Sequence, residues 1–492
     1  MMRAISIAEL ARGVIACGFD NASIDELPRF AGYVLFARNG EDVRSVRSVT
    51  DALRARYAGD LLPIVAIDQE GGRVARLREG VEPMPSMMAL GAAGDLELAQ
   101  RAGEQTAFDL RRAGCTLDFA PVMDLALEPR NVVIGTRSIG NDPRKVAALG
   151  ERFARGLHDG GVVACYKHFP GHGSTHVDSH VALPVVDAGE ATLRQRDLLP
   201  FALVANDAPA IMATHVLARA FDANAPASLS ARVGTTLLRD ELGFRGMYAT
   251  DCLEMGAISR QGTTAESAVA ALRAGADLLI FSHHPELAEE SALAVERAVE
   301  TGALPRARLE EAYARVVAVR SAGEPPVPIG EFPPHPGVGR EIARRAVTVV
   351  RGLPHADPTA SCVLDFGADR IGLGKEAPAL EVLALSIEPQ EVDVDRALAF
   401  AAQSRRRPIV LARRAHMHCA QAGAIDRIVE HFADALVVSV LEPYDLHCFG
   451  SARHLLATYG DDASAIGGLA DVIFGGIMPQ GRLPVDYAAA VG

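Results

Sequence analysis

Short apolar runs recur through the first 285 positions of the chain, separated by longer polar stretches. They are "GVIACGF" (13–19), "GYVLFA" (32–37), "LPIVAID" (62–68), "CTLDFAPV" (115–122), "GVVACYKHF" (161–169), "PAIMATHV" (209–216), "GMYATD" (246–251) and "DLLIF" (277–281). Several are apolar at consecutive positions, as strands buried on both faces are. Between them lie helical patterns, among them "DVRSVRSVTDALRARY" (42–57), "LELAQRAGEQTAFDLRRAG" (96–114) and "RKVAALGERFARGLHDG" (144–160). The last two end at Gly114 and Gly160, where glycine terminates a helix. Eight strand patterns alternating with helices predict an α/β fold built on a (β/α)8 TIM-like barrel. An open doubly wound sheet is the alternative, but no G-x-G-x-x-G follows the first strand.

A final barrel helix fits "RARLEEAYARVVAVRSAG" (306–323), and "EPPVPIGEFPPHPGVG" (324–339) reads as a Pro/Gly-rich linker. Beyond it strand and helix patterns alternate again, in "AVTVVRG" (346–352), "SCVLDFG" (361–367), "RPIVLARR" (407–414), "ALVVSVLEP" (435–443) and "ASAIGGLADVIFGG" (463–476). The expected division is a catalytic barrel over 1–323, a linker over 324–339 and a smaller α/β layered domain over 340–492. Within the last, "LEPYDL" (441–446) is a candidate contact segment.

Composition narrows the function classes. The 492 residues carry a net charge of -13, which argues against nucleic acid or an anionic membrane surface as partner. Seven cysteines with no C-x-x-C pair argue against a disulfide framework and point to a reducing compartment. The opening "MMRAISIAELARGVIACGFD" lacks the uninterrupted apolar core of a secretory signal, and no apolar run reaches membrane-spanning length. A soluble, cytoplasmic protein is the expectation; the oligomeric state is not legible.

In a barrel the chemistry belongs at the C-terminal strand ends. The polar residues there are Asp68, Asp124, Lys167, His168, His215 and Asp251. After the fifth strand pattern comes "KHFPGHGSTHVDSH" (167–180), with His168, His172, His176 and His180 four residues apart. That spacing would align them on a helix. Pro170, Gly171 and Gly173 oppose a helix, at about 3 kcal/mol for proline and about 1 for each glycine, so a helical metal site is not expected. Asp178 and His180 support another reading. An ionised carboxylate can orient the imidazole, whose other nitrogen then gives or takes a proton near neutral pH. Asp251 could be a nucleophile or support a developing cation, though an Asp at a strand end is as often a helix N-cap.

These residues resemble a known family. "KHFPGHGSTHVDSH" is similar to the signature of glycoside hydrolase family 3, in its β-N-acetylglucosaminidase (NagZ-type) branch. "VLFARN" (34–39), "AIDQEGGRVARL" (66–77), "FAPVMDL" (119–125), "VVIGTRSIGNDP" (132–143) and "TDCLEMGAI" (250–258) match in the family's order. The resemblance covers about residues 5 to 320 closely; the remainder, with "FGGIMPQGRLPVDY" (474–487), resembles the αβα-sandwich domain of two-domain members. It implies a retaining exo-β-N-acetylglucosaminidase without a cofactor, acting on peptidoglycan fragments. It implies Asp251 as nucleophile, His180 as acid/base and Asp178 as its orienting partner, in place of the usual pair of carboxylates. By the same match Asp68, Arg76, Arg137, Lys167 and His168 bind the N-acetylglucosamine unit. Read without the match, Arg76 would be a surface salt bridge and Arg137 a loop contact.

A phosphorylase of the same branch is the alternative, because a histidine acid/base does not repel phosphate as a carboxylate does. A metal-dependent hydrolase and a non-catalytic glycan binder are more distant. Cys252 stands where the family often has a second Asp; no adjacent cation is evident to activate its thiol. Glu254 is expected to cap or to face solvent, and His172 and His176 to serve loop structure or solvent.

Overall fold

Eight parallel strands close into a barrel: β1 (Ile15–Gly18), β2 (Gly32–Leu35), β3 (Ile64–Ile67), β4 (Leu117–Asp118), β5 (Val163–Phe169), β6 (Ala210–Ala213), β7 (Met247–Cys252) and β8 (Leu278–Phe281). Each pairs with its sequence neighbours, and β1 closes on β8 with Ile15 opposite Leu279. Their residues are buried throughout except Asp251, which is half-buried. The computed structural model describes residues 5–175, 183–259, 262–367 and 372–486.

Local chemistry sets the helix ends. Asp95 and Asp142 cap helices Leu96–Ala113 and Pro143–Asp159, each accepting two backbone N–H groups of the first turn. Gly114 ends the first with φ 82°, a left-handed conformation that other residues disfavour. These two helices cross closely. A Cβ on Gly103 would lie 2.1 Å from the Phe153 oxygen, and one on Gly156 would lie 2.1 Å from the Gln100 oxygen. The strand predicted over 115–122 is shorter in the ladder. Pro121 has no N–H to give, and pairing resumes only as an isolated bridge between Val122 and Lys167.

Helix Arg306–Ala322 packs beside helix Ile7–Arg12 on the barrel wall, and helix Val338–Ala346 opens the second domain. Its sheet runs β9 (Thr348–Arg351), β10 (Ser361–Phe366), β11 (Glu381–Leu385), β12 (Arg407–Ala412), β13 (Leu436–Ser439) and β14 (His454–Ala457) in the spatial order β9-β14-β13-β12-β10-β11. Only β9 is antiparallel to its neighbour. Alternate strand residues feed two cores. Leu364, Val410, Val437 and Leu455 pack with Ile425 and Ile428 of helix Cys419–His431. Val363, Ile409, Val438 and Leu456 pack with Ile466 and Leu469 of helix Ala463–Ile473. The second domain is therefore a three-layer αβα sandwich. Its first core continues into Met88, Ala89 and Ala92 of the barrel domain's helix Met87–Ala93 and into Ala126 of the loop after β4, so the two domains share buried apolar surface. No helix among the described residues is long and apolar enough to cross a membrane.

Candidate active site

The C-terminal strand ends surround a cavity of about 400 Å3. Asp68, Arg76, Arg137, Lys167, His168 and Asp251 all line it. Asp178, His180 and His176 lie outside the described residues. His168 and the following residues to Thr175 form the end of β5 and a non-helical loop, so the four-residue histidine spacing brings no helical face together among them.

Lys167 is buried at the end of β5, and its Nζ donates to Asp68 Oδ1 at 2.6 Å and meets Glu70 Oε1 at 2.5 Å. Arg137 makes a bidentate pair with Glu70, its Nε and Nη2 donating at 2.8 and 2.7 Å. Burial disfavours the Glu70 charge, but Arg137 and Lys167 outweigh it and hold the carboxyl well below its ordinary value. Burial likewise opposes the Lys167 charge, and Asp68 and Glu70 overcome it and raise the ammonium pKa. Arg76 reaches Asp68 Oδ2 at 3.6 Å across the mouth. Asp68, Lys167 and Arg137, with Glu70 behind them, thus form a fixed alternation of carboxylates and cations that offers acceptors and donors side by side.

Asp124 organises the neighbouring wall. Its Oδ2 accepts the His168 backbone N–H at 3.1 Å and lies 2.6 Å from His168 Nδ1, and its Oδ1 accepts the His172 N–H at 2.6 Å. A proton on Nδ1 serves this contact and leaves Nε2 facing Arg137 Nη2 at 3.4 Å as an acceptor. Burial opposes the Asp124 charge, but His168 and His172 outweigh it and lower the carboxyl pKa. His172 is buried, contrary to the solvent option allowed for it, and its Nδ1 lies 2.9 Å from the Thr175 hydroxyl. Burial takes its pKa down to about 4, so the ring is neutral.

Asp251 ends β7 at the opposite wall. Its Oδ1 accepts the Cys252 N–H at 2.7 Å. Burial works against its charge, and His215, His168, the Cys252 N–H and Lys167 together hold it below the ordinary carboxyl value. Among the described residues it caps no helix; Glu254, three positions on, accepts N–H groups from His283 and His284 at 2.8 and 2.9 Å just ahead of helix Pro285–Glu300. The Cys252 thiol is buried and pushed up to about 12, chiefly by desolvation, so it is not a thiolate at neutral pH. His215 lies 2.8 Å from the Cys252 carbonyl and 2.7 Å from the Ser228 hydroxyl, joining β6 to β7 rather than reaching the cavity.

Glu70 is the site residue that sequence reasoning missed. It stands two positions after Asp68 in the short hairpin 69–71/74–75, and period-two alternation places i and i+2 side chains on one face. Arg137 also donates to the Val133 carbonyl at 3.0 Å, so the loop contact coexists with its place in the cavity.

Residues 20–319 match the glycosyl hydrolase family 3 N terminal domain. The chain is 40% identical over 269 residues to a beta-hexosaminidase of Chromobacterium violaceum, covering 53% of this chain and 74% of that one. It is 39% identical over 284 residues to a beta-hexosaminidase of Pseudomonas aeruginosa, covering 58% and 83%. Among solved structures, a glycoside hydrolase family 3 beta-N-acetylglucosaminidase from Paenibacillus sp. superposes with a TM-score of 0.89 at 32% identity, over 98% of this chain and 99% of that one.

Proposed function

This chain belongs to glycosyl hydrolase family 3, and from that premise we propose a retaining exo-β-N-acetylglucosaminidase that removes terminal β-linked N-acetylglucosamine. One observation carries the reading: Asp251 is an ionised carboxylate at the end of β7, facing a cavity lined by Asp68, Lys167 and Arg137, the two cations braced from behind by buried Glu70. The names of the relatives at about 40% identity support the sugar class.

In this mechanism an Asp251 oxygen bonds to the anomeric carbon as the bond to the leaving oxygen breaks. His180, as imidazolium, gives its proton to that oxygen. Neutral His180 then takes a proton from water, whose oxygen attacks the same carbon and frees Asp251. Asp178 compensates the charged imidazole. The roles of Asp178 and His180 rest on the sequence signature. Asp68 accepts from paired hydroxyls, while Lys167, Arg76, Arg137 and His168 orient the sugar. A cavity of about 400 Å3 is near the lower end of ligand pockets, roughly 300–1,000 Å3, which suits one terminal sugar better than a chain running through. Peptidoglycan fragments ending in N-acetylglucosamine are the proposed substrate, and no cofactor is required.

The test is p-nitrophenol release from the β-N-acetylglucosaminide and the β-glucoside, with and without phosphate, in wild type and Asp251→Ala. The expected result is cleavage of the first substrate, indifferent to phosphate, and a loss of roughly 10^4-fold or more in the variant. Comparable wild-type cleavage of both sugars overturns the specificity. Acceleration by phosphate makes the enzyme a phosphorylase, and near-wild-type turnover by Asp251→Ala sinks the nucleophile.

A further inference from the structure

The second domain holds the loop after β4 at three points. The Tyr444 hydroxyl donates to the Ala126 carbonyl at 2.9 Å. His416 Nε2 donates to the Pro129 carbonyl at 3.1 Å. Glu442 is buried against Gly135 so closely that a Cβ there would stand 2.1 Å from its Oε1. Glu442 is itself fixed by a bidentate pair with Arg414, at 2.8 and 2.9 Å, and His416 and Tyr444 meet edge to face with centroids 5.8 Å apart. Two of these residues, Glu442 and Tyr444, belong to the segment 441–446.

The loop they hold leads into the site. Arg137 follows Gly135 by two residues, and Val132 and Val133 line the cavity. Arg73, across the cavity, donates to the carbonyls of Val132 and Val133 at 2.6 and 2.8 Å. Asn131 Nδ2 donates to the His172 carbonyl at 3.0 Å, while its Oδ1 accepts the Ile134 N–H at 2.9 Å. Residues 126–137 therefore lie between the second domain on one side and the sugar cavity with the β5 loop on the other.

We propose that Glu442, His416 and Tyr444 are positioning residues for the glycosidase reaction: the second domain is a clamp that sets loop 126–137, and through it Arg137 and the cavity wall. None of the three lines the cavity, so their effect is exerted through the loop and, for Glu442, also through its charge on Arg73. The inference rests on the reading of the cavity as the sugar site. Displacements of about 1 Å at a site can cost about 10^2-fold, so a clamp of this kind has measurable consequences.

The experiment measures kcat and KM of the full chain on p-nitrophenyl β-N-acetylglucosaminide for wild type, Glu442→Gln and Tyr444→Phe, with circular dichroism melts of all three. Tyr444→Phe removes one hydroxyl and keeps the ring, so it serves if Glu442→Gln fails to fold. The expected result is a KM raised about tenfold in Glu442→Gln and about threefold in Tyr444→Phe. Merely lost stability lowers the active fraction, which reduces kcat and leaves KM alone. An unchanged KM in the folded variants overturns the clamp, whatever kcat does. An inactive wild type removes the glycosidase reading instead, and with it the premise of the clamp.

Discussion

Replacing Glu70 by glutamine removes one buried charge from behind the cavity floor and changes almost nothing in shape. In the native site Glu70 meets Lys167 at 2.5 Å and accepts from Arg137 at 2.7 and 2.8 Å. Glutamine keeps one acceptor and turns an NH2 group toward one of two buried cations. Stranding a buried charge costs about 3–5 kcal/mol. Lys167 keeps Asp68 at 2.6 Å, so the lower end, about 3 kcal/mol, is expected. At about 2.1 cal/mol/K of unfolding entropy per residue, a chain of 492 residues shifts by about 1 °C per kcal/mol, so the melting temperature falls by about 3 °C. Arg137 and Lys167 also lose their common anchor, so kcat/KM on an aryl N-acetylglucosaminide falls by about 10^2-fold. The pH dependence has a definite sign. Glu70 has a folded pKa below its unfolded value of about 4.3, so its contribution is complete above that pH and is lost as pH falls toward the folded value. The gap in melting temperature between wild type and variant is therefore widest at neutral pH and narrows below about pH 4.3. Melts across that range, with kinetics at pH 7, test both parts. A variant equal to wild type in stability and kcat/KM refutes the account of the floor, and a gap that stays constant into acid refutes its electrostatic origin.

His180→Ala should slow alkyl glycosides by about 10^2–10^4-fold and aryl glycosides far less, since only poor leaving groups need a strong acid; equal losses on both count against His180 as the acid. Cys252→Ser should retain kcat/KM within about threefold, under 1 kcal/mol of barrier, because the thiol is buried and protonated; loss of turnover would give it a role in the chemistry. Tyr248→Phe should leave the melting temperature unchanged or raise it, by up to about 1 kcal/mol of stability, because the buried Tyr248 hydroxyl has no hydrogen-bond partner among the described residues. A lower melting temperature would show that the hydroxyl is satisfied in solution.

The barrel was legible because its signal is local. Each of the eight observed strands overlaps its apolar run, and helices 43–55, 96–113, 143–159 and 306–322 follow the predicted periods to within a few residues. The second domain was read less completely. Strands β11 and β14 and helices Glu391–Ser404 and Cys419–His431 went unmarked. β11 lies at a sheet edge, and its "EVLAL" is mostly exposed, so it lacks the continuous apolar run of a strand buried on both faces. Helix Val338–Ala346 lies partly in what reads as a Pro/Gly-rich linker. Its start at Gly337, with φ 81°, shows how a glycine-rich stretch can lead directly into a helix.

Sequence alone determined the layered α/β architecture, the strand ends whose polar residues Asp68, Lys167, His168 and Asp251 line the cavity and, through a specific signature, the family. Those are properties of residue spacing, which a chain carries whether folded or not. Tertiary structure decided that Asp68, Glu70, Arg137 and Lys167 form one charge network, that Asp124 holds His168 and His172, and that Glu442, His416 and Tyr444 grip the loop bearing Arg137. Barrel closure brings residues 68, 137 and 167 together, and packing of the second domain sets residues 416–444 against the β4 loop. Periodicity records which face a side chain shares with its near neighbours. It does not record which distant side chain meets it, because that contact exists only after the strands have closed and the two cores have joined.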